Sequence, residues 1–361
     1  MTTKAPTAVI CLAELHGGMD MDAFRLAAAL SPHVPLILVA KEGAPLAKRY
    51  RQQADAAGII LETVRFRTFF SPSLIRHARR IIHKHGVRNV IFFGASEMRS
   101  LYFSFLGLPI NLIVRHGTRK TTPKTDFFHR LIYSNVNWHV AICEFLADNV
   151  RQIIPFGRRT RLKVIYSALR HLPENLPNPR PRGDGPIRLL HVGRIVDGKG
   201  QIDAIRACEI LYRAGIDFRL DLVGDIYPPY EREFRATLDS VPYKHRIHLH
   251  GFQTDIPRFL RNADIFIFPS KGEGLSNSFI EALGYGLLCI AYSNTSFPEL
   301  QQLGFDFLIA EHRNIQDLEQ KLEEAIGRLS SIPVPMGHNV ELACRLFNPQ
   351  REIEEFLEIL I

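Results

Sequence analysis

Apolar residues along this chain fall into short unbroken runs, separated by segments in which they recur every three or four positions. In the first half "AVICLAEL", "PLILVA", "IILETVRF", "NVIFFG", "PINLIVRHG" and "HVAIC" read as strands. Helical stretches such as residues 19–30 and 74–85 lie between them. Runs without alternation belong to strands buried on both faces, so this order predicts an α/β unit with a parallel sheet covered by helices. "ALRHLPENLPNPRPRGDGPIR" then brings five prolines and no hydrophobic period, and reads as a linker over residues 168–187. The pattern restarts with "IRLLHVG", "FRLDLVG", "RIHLHG", "ADIFIFPS", "LLCIAY" and "DFLIA". From residue 348 an Asn-Pro start precedes apolar Ile353, Phe356, Leu357 and Leu360, a capped amphipathic helix that needs a surface to pack on. The expectation is two doubly wound Rossmann-like domains facing across a cleft, residues 1–167 and 188–340, with a closing segment over 341–361.

At 361 residues each domain can bury its own core, and 46% hydrophobic with 23% charged content is ordinary for a globular protein. No apolar run is long enough to span a bilayer, and the N-terminus has no cleavable signal pattern, so a cytoplasmic location is expected. The five cysteines are odd in number and scattered, which argues against a disulfide framework or a zinc site. The net charge of +8 changes the picture more, because it is unevenly placed. Residues 1–170 hold 25 Lys and Arg against 10 Asp and Glu, whereas residues 171–361 hold 20 against 27. The first domain is therefore expected to face something anionic.

Four segments carry candidate chemistry. "LLHVGRIVDGKG" (residues 189–200) follows a strand with Gly193, Arg194, Lys199 and Gly200. Arg194 offers a planar fork and Lys199 a point charge, a pair suited to a diphosphate; a solvated loop with two surface cations fits equally. "KGEGLSNSFIEAL" (residues 271–283) is a strand-to-helix turn with Glu273 in the turn and Glu281 one turn into the helix. Carboxylates there accept hydrogen bonds from hydroxyls, and with the upstream cations they describe a nucleotide-sugar site. "ELHGGMDMDAF" (residues 14–24) sets Gly17 and Gly18 before a helix, either for close approach to a ligand or as a tight turn. "IVRHGTRK" (residues 113–120) ends a strand at His116 beside Arg115, Arg119 and Lys120. Those cations would keep the ring neutral, for chemistry or as a structural histidine.

The order "GRIVDGKG", "LVGD", "HLHGF", "ADIFIFPSKGEGLSNSFIEALGYGLLCIAY" resembles the retaining glycosyltransferases of family 4, which have the GT-B fold. The resemblance covers the second domain and is looser in the first, through "HGGMD", "VRHG" and "WHVAICEFLADNV". It implies a hexosyltransferase moving a sugar from a nucleotide-sugar donor, with UDP the expected nucleotide, to a glycan or glycolipid acceptor held by the first domain. Cell-surface polysaccharide or lipopolysaccharide synthesis would be the setting. Arg194 and Lys199 would hold the diphosphate with Gly193 beside them, Glu281 would accept from ribose hydroxyls, and Glu273 would contact the transferred sugar. Amides at Gly274, Leu275, Ser276 and Asn277 would fix that sugar, Gly17 and Gly18 would approach the donor, and His116 would sit near the reaction centre. The closing helix would brace the first domain. The family's Asn-Gly pair ahead of the linker is replaced by "VIYSALR" (residues 164–170). No Asp-x-Asp motif sits in a metal position, so neither metal nor other cofactor is expected.

"RFRTFFSPSLIRHARRIIHKHGVR" (residues 65–88) and "FGRRTRLK" (residues 156–163) concentrate the positive charge. They read either as ordinary basic outer faces or as a surface for anionic lipid at the inner face of a membrane. Two other functions fit parts of the pattern. A nucleotide-sugar epimerase shares the fold, and a nucleic-acid-binding protein could use the basic half, although no reader motif is present and nucleic acid is not an expected partner.

Overall fold

The computed structural model describes residues 4–14, 17–94, 96–171, 173, 185–329 and 336–361. The chain folds as two compact units, Met1–Tyr166 with Pro349–Ile361, and Ser167–Asn348. Among the described residues the first unit contains β1 (Thr7–Cys11), β2 (Leu36–Lys41), β3 (Ile60–Val64), β4 (Asn89–Phe93), β5 (Asn111–His116), β6 (Trp138–Ala141) and β7 (Arg161–Val164). They form one parallel sheet in the order β3-β2-β1-β4-β5-β6-β7. Alternate residues of the strands enter opposite cores, as the pleat requires. Ala8, Ile10, Val90 and Phe92 pack under helices Pro72–His85, Met98–Phe105 and Phe127–Tyr133. Val9, Cys11, Ile91 and Phe93 pack under Gly18–Leu30 and the C-terminal helix Pro349–Ile359, whose Phe356 is fully buried.

That last helix is held by polar contacts as well as by its apolar face. Arg25 clasps Glu352 through Nη1–Oε2 at 2.5 Å and Nη2–Oε1 at 2.9 Å. Asn111 Nδ2 donates to the Ile359 carbonyl at 2.7 Å, and the Ile361 amide donates to Asn89 Oδ1 at 3.0 Å. The helix returns four carboxylates to the basic unit. The balance by folded unit is therefore 25 Lys and Arg against 14 Asp and Glu in the first, and 20 against 23 in the second.

The second unit contains β8 (Ile187–Val192), β9 (Phe218–Val223), β10 (Ile247–Leu249), β11 (Ile265–Phe268), β12 (Leu288–Tyr292) and β13 (Leu308–Ala310), parallel in the order β10-β9-β8-β11-β12-β13. Both sheets are doubly wound Rossmann-like sheets. Connections leave in opposite directions at β1/β4 and at β8/β11, the switch points where open α/β sheets bind ligands. In β11 the two isoleucines enter one core and the two phenylalanines the other. Phe279 of helix Asn277–Gly284 then meets Phe266, Phe268, Phe297 and Phe307 with ring centroids 4.9–6.3 Å apart.

Three boundaries differ from expectation. β7 was not expected, because "RLKV" is short and basic; it is an edge strand whose cations discourage further pairing, with Arg161 over Trp138 and Lys163 bonded to Glu358 at 2.6 Å. The linker's first residues, Ala168 and Leu169, are buried in the second unit, where the Leu169 amide donates to the Phe347 carbonyl at 2.9 Å. Its residues 172 and 174–184 lie outside the described residues. The closing segment begins at Pro349 rather than residue 341, since helix Gly337–Leu346 packs on Asn277–Gly284 within the second unit. A close approach at Gly284 permits this: a Cβ there would meet Leu169 at 3.3 Å and Ala343 at 3.7 Å.

Candidate functional site

The loops after β8 and β11 lie side by side, because these strands are neighbours in the sheet. Residues 193–200 turn tightly with Gly198 and Gly200 in the left-handed region (φ 91° and 84°). At Gly200 a Cβ would also fall 2.1 Å from the Pro269 carbonyl oxygen, so two independent constraints demand glycine. The loop is tied to its neighbour by the Lys271 amide donating to the Gly198 carbonyl at 2.8 Å. Below it, the buried His191 ring donates through Nε2 to the Lys199 carbonyl at 2.9 Å. Burial, only partly offset by that hydrogen bond, lowers the His191 pKa to about 4 and keeps the ring neutral.

This packing brings Lys199 and Glu273 together. Lys199 Nζ donates to Glu273 Oε1 at 2.5 Å, and Ser270 Oγ lies 3.0 Å from the same oxygen. The Glu273 amide donates to Thr295 Oγ1 at 3.2 Å. Thr295 holds a left-handed backbone (φ 48°), unusual for a β-branched residue. Its hydroxyl in turn donates to Asn294 Oδ1 at 3.0 Å. Arg194 is exposed on the same loop, its carbonyl oxygen accepting from Gln201 Nε2 at 3.0 Å, and Gly193 donates its amide to the Val223 carbonyl at 2.8 Å.

Helix Asn277–Gly284 is capped by Ser276, whose Oγ accepts from the Phe279 amide at 3.4 Å, with Gly274 and Leu275 buried just before it. Glu281 is 4% exposed, and its Oε1 accepts from His171 Nδ1 at 3.2 Å. With its amide turned to satisfy both groups, Asn277 accepts through its side-chain oxygen from Arg170 Nη2 at 2.6 Å. Arg170 and His171 went unrecognised in the sequence because they follow "VIYSAL", a stretch noted only for departing from a family pattern. The anchoring of Leu169 is what carries them to the helix. Ser270 and Thr295 had no sequence signal beyond nearness to a turn.

In the first unit His116 and His139 are both buried, with His116 Nε2 2.9 Å from His139 Nδ1. One ring donates its N–H to the other's lone pair, and the outer nitrogens have no protein partner among the described residues. His116 is kept neutral, as expected, but for a different first reason: burial dominates, then His139, and Lys120 comes third. His139 is pushed down to about 3 by burial and Lys120. Arg115 is committed elsewhere, 3.5 Å from Asp22 and 4.8 Å over the Phe93 ring. His139, not singled out in the sequence, sits one strand away in register with Val114. The Gly17 amide donates to Asp20 Oδ1 at 2.6 Å as the helix begins at Gly18. Gly17 has extended backbone open to any residue, and among the described residues nothing lies within 4 Å of a Cβ at Gly18, so their packing does not require glycine there.

Cys11, Cys143, Cys208 and Cys289 are buried and outside any disulfide, and Cys344 is half-buried. Among the described residues, no three His, Cys, Asp or Glu side chains gather as a ligand cluster, and no helix is long and apolar enough to cross a membrane.

Residues 173–328 match the family model for glycosyl transferases group 1. The amylovoran biosynthesis glycosyltransferase AmsK of Erwinia amylovora is 28% identical over 184 residues, 48% of this chain and 44% of that protein. The chain spans less than half the length of the leading curated relatives it matches. Among solved structures, a glycosyltransferase from Rickettsia africae ESF-5 superposes with a TM-score of 0.80 at 17% identity, covering 99% of this chain and 97% of that one. Anabaena Alr3699/HepE in complex with UDP and glucose gives 0.79 at 14% identity, covering 98% of each. These likenesses show the fold, which is GT-B.

Proposed function

We propose that this protein is a glycosyltransferase of polysaccharide biosynthesis, moving a hexosyl group from a nucleotide-sugar to a glycan or glycolipid acceptor. The observation that carries the reading is the Lys199–Glu273 contact at the β8/β11 switch point, with buried Glu281 on the helix that follows. The family match over 173–328, the name of the Erwinia relative, and the UDP and glucose in the Anabaena structure support it. UDP is accordingly the nucleotide we assign. None of the relatives named above is an epimerase or a nucleic-acid-binding protein, and both alternatives are set aside.

Lys199 and Arg194 are assigned to the donor diphosphate. As the bond from the anomeric carbon to the diphosphate oxygen breaks, the electron pair leaves with the phosphate, and fixed cations stabilise that growing charge most when it is largest. Lys199 is already positioned by Glu273, so little ordering is left to do on binding. Glu273 then serves the sugar hydroxyls, and Glu281 accepts from the ribose, His171 yielding its place. The amides from Gly274 to Asn277 hold the sugar at a capped helix start. His116 keeps its place through the resemblance: a neutral imidazole offers a hydrogen bond to a hydroxyl without bringing charge. We favour retention by attack on the face that the diphosphate leaves, the acceptor's proton passing to the departing phosphate oxygen, with no metal. A stable glycosyl-enzyme trapped on Glu273 would overturn that choice.

The deciding experiment is a saturation-transfer NMR screen of UDP-, GDP- and ADP-sugars against wild type and Glu281→Ala. A UDP-sugar should bind wild type and lose about tenfold to a hundredfold in affinity on substitution, the value of hydrogen bonds to a charged acceptor. Equal binding to both proteins sinks the ribose assignment. No donor binding, with acceptor glycans absent or present, sinks the transferase reading.

A further inference from the structure

The outer surface of the first unit presents aromatic side chains that its fold uses only in part, Phe156 standing edge-on to buried His139 with ring centroids 5.1 Å apart. On helix Phe127–Tyr133, Ile132 and Tyr133 are buried, whereas Phe127 is 82% exposed, Phe128 39% and Leu131 36%. An amphipathic helix that also turns phenylalanines outward exposes apolar area with no role inside the unit. The exposed area continues in both directions. The helix packs beside Met98–Phe105, whose Phe103 stands edge-on to exposed Phe70 with ring centroids 5.7 Å apart. Past its other end, Thr160 Oγ1 donates to the Val136 carbonyl at 2.7 Å and accepts from the Gly157 amide at 3.0 Å. That fixes residues 155–160 next to the helix with Phe156 exposed.

Cations border this strip along its length. Arg99 lies on the exposed side of Met98–Phe105, and after burial it is the next cause lowering the Lys124 pKa, which places the two charges close together. Arg130 is exposed on the aromatic helix, and Arg158 and Arg159 are exposed on the loop with Phe156. The one carboxylate in the helix start, Asp126, accepts from the His129 amide at 3.0 Å and pairs with the His129 ring.

We propose that this strip docks on an anionic lipid bilayer, Phe127 and Phe128 entering the headgroup region while the flanking cations meet lipid phosphates. Phenylalanine brings no hydrogen-bonding group to satisfy, and cations spread over three segments suit a continuous negative plane. The proposal stands without the donor-site reading.

The test uses the full chain, sedimented with vesicles of phosphatidylcholine alone and of equal parts phosphatidylcholine and phosphatidylglycerol. Wild type should bind the anionic vesicles, ignore the neutral ones and be released by high salt. The double variant Phe127→Ser with Phe128→Ser should lose about tenfold or more in partition. Arg158→Gln with Arg159→Gln should lose about fivefold per charge. All four positions are exposed, so circular dichroism and UDP-sugar binding should not change, which separates this proposal from the transferase reading. Absence of anionic-vesicle binding, or unchanged binding by the phenylalanine pair, overturns it. So does self-association without vesicles that the phenylalanine substitutions abolish, since the strip would then be a protein contact.

Discussion

In the first unit the charges behind the sheet are largely buried and locked to one another. Arg115 lies 3.5 Å from Asp22, Arg25 reaches Asp22 at 3.8 Å, and both Arg25 terminal nitrogens hold Glu352, whose side chain is 2% exposed. In the second unit the corresponding end of the sheet carries Lys199 and Glu273, with the lysine one-third exposed. Both sheets are wound in the same order, so topology does not account for the difference. A chain of alternating charge that little solvent reaches fixes where helices sit. On the proposed reading, a single partly exposed pair at a switch point leaves both partners able to trade each other for a ligand.

The contrast breaks first at Glu352. Glu352→Ala leaves Arg25, whose side chain is only one-fifth exposed, without its main partner and should destabilise the protein by about 3 kcal/mol, the lower end for breaking a buried pair. Urea unfolding measures this, and hydrogen exchange should show Pro349–Ile359 losing protection before the rest. A loss below about 1 kcal/mol would put the buried pair in the same class as a surface pair. Next comes Lys199→Met, which keeps the side chain's length and removes its charge. Transfer should fall about 10²–10³-fold, the scale for one charge-stabilising group, with the unfolding midpoint nearly unchanged. A variant that unfolds early instead would make Lys199 part of the scaffold.

Much of this arrangement could be read from the residues alone. The runs of Val, Ile, Leu and Phe predict both sheets because parallel strands are apolar on both faces. The candidate site was legible because the glycines and cations of 193–200 and Glu273 fall in turns at strand ends, with Glu281 on the helix that follows. What escaped was whatever depends on distant segments meeting. The contacts of His171 with Glu281 and of Arg170 with Asn277 follow from the Leu169–Phe347 hydrogen bond, 178 residues apart in sequence. His139 is reached only through strand pairing of β5 with β6. β7 was hidden because an edge strand needs no apolar signature, and the exposure of Phe127 because hydrophobic residues are assumed buried until a fold shows otherwise.

Both units answer acid through histidines that folding keeps neutral. His116 and His139 in the first unit, and His191 in the second, are kept neutral in the folded protein, His139 down to about 3 and His191 to about 4. Unfolded imidazoles take up protons near 6.5. Between that value and the folded ones the unfolded chain binds more protons, so stability is fully present above pH 6.5 and declines as the pH falls. Each such ring contributes up to about 1.4 kcal/mol per pH unit in that window. Urea unfolding at pH 7, 6 and 5 should show a shallower decline in His191→Gln by about one imidazole. An unchanged slope would mean that His191 titrates normally in the fold.

The smallest effect expected is also the sharpest probe of the contrast. Glu273→Gln removes the charge that faces Lys199 and keeps a side-chain oxygen within reach of Ser270 Oγ. The backbone bond from the Glu273 amide to Thr295 does not depend on the carboxylate. Because Lys199 is partly open to water and screened by salt, the lost pair should change unfolding free energy by no more than about 1 kcal/mol. Transfer should nevertheless weaken, since the sugar loses an anionic acceptor and Lys199 loses the group that aims it. Stability held and function lost would assign the pair to the ligand. If Glu273→Gln instead destabilises the chain as deeply as Glu352→Ala, the pair at β8/β11 is structural like its buried counterpart, and the donor site must be sought from Arg194 and Glu281 alone.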